Sequence, residues 1–204
     1  MAREGLRPLL LLEDSALPVF AGAPSPSPAL PADSVLVGPA PTTAQVGLAP
    51  QHFNYDRLNE AFLVLKGGGR LIAVNKSRWA VLVQDERPRY LAAPGGLVLG
   101  AGAAVAALEY SADCRAEVVG KPTEAFFRLA VAALEVEGLQ AGEVLMVGDD
   151  VRDDVLGAQA AGLRGALVQT GKYQAGDEGR AEGLPDAVLP SLLDVVRQVV
   201  ANLV

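Results

Sequence analysis

The chain has 204 residues, half of them hydrophobic and a fifth charged, with a formal net charge of −7. That balance supports a sizeable core in one large or two modest globular domains, and an acidic excess with no basic patch excludes a nucleic-acid footprint. With a lone cysteine, Cys114, that has no internal disulfide partner, and no apolar run long enough to span a bilayer, the sequence reads as a cytoplasmic protein without a membrane anchor.

In chain order, residues 9–12 form an apolar strand that runs into Glu13 and Asp14, a solvated strand end. Arg3 and Arg7 before it only faintly resemble a signal peptide, because the two acids interrupt an apolar run that is already too short. Residues 21–33, rich in Pro, Ser and Ala, read as a loop, residues 34–37 as a strand, and residues 39–46 as an intrusion. Leu58, Ala61, Phe62 and Leu65 fall at helical spacing, with Asn54 placed to cap the helix and Gly67 to end it. A strand at 71–74 completes a small α/β unit. Residues 79–89 read as a second insertion, in which Ala80-Val-Leu-Val-Gln has the pattern of an extra edge strand, and residues 97–102 lead onward into a second domain.

From Ala103 helices and strands alternate: a helix to Ala112, a strand at 116–119, a helix at 123–135, a strand at 144–147 and a helix at 153–161 stopped by Gly162. A strand at 165–169, a strand at 187–189 and a helix at 191–203 opened by Ser191 and Asp194 follow. Strands separated by helices imply a parallel sheet. The expected division is residues 1–98 and 99–204.

The most informative stretch is VLMVGDDVRDD, residues 144–154. Four apolar residues run into Gly148 and then release Asp149, Asp150, Asp153 and Asp154, as a buried parallel strand does where it ends at a cation site. An isolated Asp-Asp pair would be read as the acidic first turn of a helix, favoured by its dipole. The strand and the glycine pivot shift the reading toward a site. Upstream, EVVGKPTEAFF (residues 117–127) is a short strand, a glycine turn, Lys121, and a helix with Pro122 in its first turn. Both charged tips fall at the carboxyl ends of strands, where open α/β sheets bind ligands. Carboxylates that hold a divalent ion beside a lysine that neutralises phosphate oxygens suit phosphoryl transfer.

Other patterns carry less. Gly100-Ala-Gly102-Ala-Ala-Val105 lacks the third glycine and the acidic ribose partner of a dinucleotide fingerprint. His52 is the only histidine, which leaves no His-metal cluster and no Ser/His triad. Thr170-Gly171-Lys172 follows a strand at the active edge and reads equally as a substrate-mouth loop or a capped turn. Phe126 and Phe127 read as helix core.

The segments VVGKPTEAFF, VLMVGDDVRDDVLGAQAAG and LVQTGKYQAGDE resemble the third and fourth sequence motifs of the haloacid dehalogenase superfamily and the segment beyond them. The branch indicated has a large α/β cap and contains the 4-nitrophenylphosphatase-like enzymes and pyridoxal phosphatase. The likeness continues through GLRPLLLLEDSALPVF, GLAPQHFNYDRLNEAF and LVLGAGAAVAALEYSAD, so it covers most of the chain. It implies an α/β cap at 1–98 and the C-terminal half of a Rossmann-like parallel-sheet catalytic core at 99–204. The activity implied is Mg²⁺-dependent hydrolysis of a small phosphorylated substrate through a phospho-aspartate, with homodimerisation through the cap. Lys121 resembles the lysine that contacts nucleophile and phosphate, Asp149 the metal ligand, and Asp154 the second acid, which supports the metal or the lysine. Asp150 is a further candidate at the metal, and Asp153 is expected to be solvated.

The family's first motif, a hydrophobic strand followed by Asp-x-Asp/Ser-Gly-Thr, and the Thr/Ser phosphate-binding motif after it are absent from these 204 residues. The nearest lookalike, LLLLEDSAL at residues 9–17, has Glu13 in the nucleophile position and no Gly-Thr, and by resemblance it aligns with the first cap strand. The expectation is therefore an inactive, truncated form of a phosphatase. The alternative is a non-catalytic, partner-binding fragment. A phosphorelay receiver is disfavoured because its acidic pair should precede the lysine, whereas Lys121 precedes Asp149.

Overall fold

The computed structural model describes residues 8–11, 43–49, 52–81 and 96–201. The expected strand end at Glu13 and Asp14, the loop at 21–33, the strand at 34–37 and most of the second insertion lie outside the described residues. Two compact units emerge: residues 1–79 with 98–119, and residues 80–97 with 120–204.

The first unit is built on four parallel strands in the order β1, β2, β3, β6: Pro8–Leu11, Thr43–Val46, Arg70–Ala73 and Glu117–Val118. One face buries Leu9, Leu11, Ala44, Val46, Leu71 and Ala73 against helix α1 (Tyr55–Lys66) and helix α2 (Ala101–Ala112). These helices contribute Ala61 and Leu65, and Ala104, Val105 and Leu108. Each fully buried Leu or Val there stabilises the unit by about 1.5–3 kcal/mol. Helix α1 starts as its sequence dictates, with Asn54 Oδ1 accepting from Arg57 N–H at 3.0 Å. Two further short strands, β4 (Trp79–Val81) and β5 (Leu97–Leu99), pair with each other.

The expected boundary at 98/99 is not where the contacts divide, since α2 and β6 belong to the first unit. Strand β6 was expected in the same sheet as the strand that ends at Asp149. It pairs instead with β3, and Val119 N–H extends the ladder to Ala73 O at 2.9 Å. The intrusion expected at 39–46 also needs correction, because its second half is strand β2, buried along its length and paired on both sides. Polar Thr43 and Gln45 alternate there with Ala44 and Val46, which hid an inner strand from a hydrophobicity pattern.

In the second unit, strands β7 (Leu145–Gly148), β8 (Arg164–Val168) and β9 (Ala187–Leu189) form a parallel sheet in that order. On one face Phe127 of helix α3 (Glu124–Ala132) packs with Ala158 of the short helix α4 (Gly157–Ala160), Ala161 and Leu163. Nearby, Val151 and Val155 cover Leu167. On the other face Ala166 and Val168 meet Val195 of helix α5 (Leu192–Ala201). Ser191 Oγ donates to Asp194 Oδ2 at 2.6 Å at the start of α5, as the cap reading expected. Phe127 is core, while Phe126 is partly exposed and stands edge-on to it with ring centroids 5.3 Å apart. Strand β7, expected to be buried, is half-exposed, because among the described residues it pairs only with β8 and forms the sheet edge.

Candidate active site

The site lies in the second unit, at the carboxyl end of β7. After Gly148 the chain does not enter an ordinary α-helix. Val151–Leu156 winds as a wider π-type turn, with Asp154 N–H and Val155 N–H both reaching Asp150 O, at 3.0 and 3.3 Å, before α4 resumes normal pitch. Such turns project side chains at spacings an α-helix does not allow and recur at functional sites. This one folds Asp154 back over β7. A Cβ on residue 148 would lie 2.3 Å from Asp154 Oδ2, so only glycine lets that carboxylate occupy its place.

Asp154, nearly fully buried, receives Lys121 Nζ at 2.6 Å on Oδ1 and Asp150 N–H at 3.1 Å on Oδ2. Lys121 comes from the loop between β6 and α3, where Thr123 Oγ1 donates to Gly120 O at 2.7 Å. Pro122, expected in the first turn of the helix, precedes its N-cap Thr123, and the Lys121–Pro122 peptide bond is cis. Burial alone would lower the Lys121 pKa, but the hydrogen bond and charge of Asp154, reinforced by Asp153 and Asp149, hold it above the ordinary lysine value. Lys121 is therefore a fixed cation. An ammonium has three donors, and with a side chain 40% exposed Lys121 can meet Asp154 and an incoming anion together.

Asp149 and Asp150, adjacent in sequence, have different surroundings. Asp150 Oδ1 caps the following turn by accepting from Arg152 N–H at 2.8 Å and Asp153 N–H at 2.9 Å, and its Oδ2 pairs with Lys172 Nζ at 2.5 Å. Burial raises its pKa, but the Asp153 amide, the Lys172 ammonium and the Arg152 amide outweigh that and hold it below the usual aspartate range. Asp149 Oδ2 accepts from Lys172 N–H at 2.9 Å, and among the described residues Asp149 enters no ion pair. Asp153, expected to be solvated, has a side chain only 14% exposed, 3.9 Å from Lys172 Nζ.

Lys172 is the residue that sequence reasoning left undecided. The turn after β8 reaches the acidic turn through Gly171, at φ +58°, where a Cβ would fall 1.9 Å from Asp149 Oδ2. The sequence signal was Thr170-Gly171-Lys172 directly after a strand that ends at the same edge.

Magnesium, implied by the resemblance, requires near-octahedral oxygen coordination. Among the described residues no three His, Cys, Asp or Glu side chains come together in a way that could hold a metal ion. Asp150 is committed to its cap and to Lys172, Asp154 to Lys121, and Asp149 alone can offer an oxygen away from a lysine partner. By themselves these residues do not fit magnesium. Among the described residues no helix is long and apolar enough to cross a membrane.

A parallel α/β unit in which Lys121 meets an aspartate cluster at the end of β7 belongs to a class whose residue types suit anionic, phosphate-like groups. Comparison with known proteins agrees. The HAD-hydrolase-like family model matches residues 118–195. The human haloacid dehalogenase-like hydrolase domain-containing protein 2 is 39% identical over 203 residues, which is 100% of this chain and 68% of that protein. The Xenopus laevis phospholysine phosphohistidine inorganic pyrophosphate phosphatase is 37% identical, covering 99% of this chain and 66% of its own length. Among solved structures, the Thermotoga maritima 4-nitrophenylphosphatase superimposes with a TM-score of 0.69 at 25% identity, over 94% of this chain and 65% of that one. The chain belongs to the haloacid dehalogenase-like hydrolase family. It spans about two thirds of the length of the relatives it matches.

Proposed function

We propose that this chain carries the lysine-and-acid half of a phosphatase site that hydrolyses small phosphate monoesters or phosphoamides. Lys121 neutralises the phosphate oxygens, Asp154 fixes the position of Lys121, and Asp149 is the ligand the chain would contribute to Mg²⁺. The observation that carries this reading is the 2.6 Å pairing of Lys121 with buried Asp154, with Asp149 beside it at the end of β7. Support for magnesium comes from a relative. The Mycobacterium tuberculosis glycerol phosphate phosphatase, solved in complex with magnesium, is 31% identical over 72% of this chain and 40% of its own, with a TM-score of 0.55. Support for the reaction class comes from the names of the phosphatases that resemble the chain.

In the family the nucleophile is an aspartate of the first motif, which these residues do not contain, so we propose that by themselves they do not turn over substrate. We place the protein in the cytoplasm and propose a homodimer formed through the first unit. Among the described residues β7 pairs on one side only, with β8, and this favours a second reading, a non-catalytic fragment that binds a partner. Fusing a segment with the family's hydrophobic-Asp-x-Asp/Ser-Gly-Thr motif upstream of Met1 separates the two. The phosphatase reading expects Mg²⁺-dependent hydrolysis of p-nitrophenyl phosphate by the fusion, reduced on the order of several powers of ten by Lys121→Met. A folded fusion with no turnover, or turnover indifferent to Lys121→Met, contradicts it.

A further inference from the structure

Helix α5 is only thinly attached to its own unit. Among its described residues the one buried side chain is Val195, which packs with Ala166 and Val168. Leu192, Leu193, Val196, Val199 and Val200 are 58%, 56%, 50%, 45% and 53% exposed. At 3.6 residues per turn these five fall in a single stripe about 120° wide. A surface helix ordinarily turns such a stripe toward its own core, whereas α5 leaves it in solvent. The stripe is also symmetric along the helix. Leu192 and Leu193 stand four and three positions before Val196, and Val199 and Val200 stand three and four positions after it.

We propose that α5 is a self-pairing surface, whose occupant is α5 of a second copy of this chain, packed antiparallel about a two-fold axis at Val196. An isologous contact requires that whenever residue i meets j, residue j also meets i, and a stripe symmetric about its middle residue satisfies this. Antiparallel pairing sets Leu192 and Leu193 level with Val199 and Val200 of the partner subunit. It also brings Arg197 to the same flank as Asp194 of the partner subunit, one residue away along the axis. Arg197 is 70% exposed and lies 3.6 Å from Asp194 of its own helix, so it can face both carboxylates. Opposite charges along the flank fix the orientation of the pair. The apolar stripe amounts to roughly half of the ~800 Å² per partner of a standard interface, which suits a weak pair that forms as concentration rises. This surface belongs to the second unit and goes beyond the homodimer proposed through the first.

The test is disulfide cross-linking of the full chain in a Cys114→Ser background, oxidised with copper phenanthroline over a series of protein concentrations. Val196→Cys, on the two-fold axis, should cross-link to itself. Leu192→Cys and Val200→Cys should cross-link faster when mixed than either does alone. Gln198→Cys, exposed but about 160° around the helix from the stripe centre, should stay monomeric. Val196→Asp, which would set two like charges face to face, should weaken self-association in sedimentation by about tenfold or more. Equal cross-linking at positions 196 and 198 overturns the proposal, as does Leu192→Cys linking to itself as fast as to Val200→Cys. So does no cross-linking at any of these positions, which would leave the stripe covered by its own chain, or a Val196→Asp variant that associates like wild type. The pattern should persist in Leu145→Lys, and its loss there would move the contact to the β7 edge and overturn the α5 pair. A dimer held only by the first unit would show no preference among α5 positions. Because no substrate is used, failure here leaves the phosphatase reading standing, and failure of the fusion assay leaves this inference standing.

Discussion

Asp186, just before β9, shows how one carboxylate ties the second unit together. It accepts from Gly165 N–H at 2.7 Å and from Gln159 Nε2 at 3.0 Å, joining β8 to α4, and the Gly165 hydrogen bond followed by that of Gln159 holds its pKa below the usual aspartate value. A folded-state pKa that is depressed contributes stability above the unfolded value, near 3.9, and that contribution is lost as pH falls through the folded one. Asp186→Asn should therefore lower the urea midpoint at neutral pH, and the gap to wild type should narrow as pH falls below the ordinary aspartate range. A gap that stays constant from neutral to acid pH would assign the effect to lost hydrogen-bond geometry and not to charge. At this scale the sequence was only partly legible. Lys121 and the acidic run that begins at Asp149 could be singled out because each follows a strand and a glycine, and the family resemblance picked Asp149 and Asp154 out of that run. The cap made by Asp150 and the pairing of Lys172 depend on a π-type turn and on a loop whose lysine lies 22 residues after Asp150, which no local pattern encodes.

At the scale of the element, most helices and strands follow from periodicity and caps: α1 from Asn54, α5 from Ser191 and Asp194, β8 and β9 from short apolar runs. The misreadings have physical causes. Strand β2 is buried although Thr43 and Gln45 interrupt its apolar residues, because it is sandwiched between β1 and β3. Strand β6 is only two residues long, and its sheet was decided by pairing with β3, which a βα repeat in the sequence cannot specify. Strand β7 has the apolar pattern of a buried strand and the position of an edge, with Leu145 36% exposed. Unpaired apolar edges recruit other strands. The chain should therefore self-associate as its concentration rises, and Leu145→Lys, which puts a charge on that edge, should shift light-scattering mass toward monomer. An unchanged mass distribution would show that association, if any, uses another surface.

At the scale of the whole molecule, the chain is two α/β units, one built on β1, β2, β3 and β6 and one that carries the site. The alternating pattern after Ala103 made the second half look like one continuous core, but the division falls at Gly120, immediately before Lys121. The family likeness runs through both units, and the relatives extend about a third beyond what this chain spans. On the proposed function, Lys121, Asp149 and Asp154 are the lysine and acids of a phosphoryl-transfer site, and the 204 residues lack the family's nucleophile motif. Turnover of p-nitrophenyl phosphate by the 204-residue chain in Mg²⁺ tests this most directly. The predicted result is no hydrolysis above the uncatalysed background, since a fixed lysine and an aspartate cannot form the phospho-aspartate by themselves. Sustained turnover that disappears on Glu13→Ala would contradict the account and make Glu13 the nucleophile.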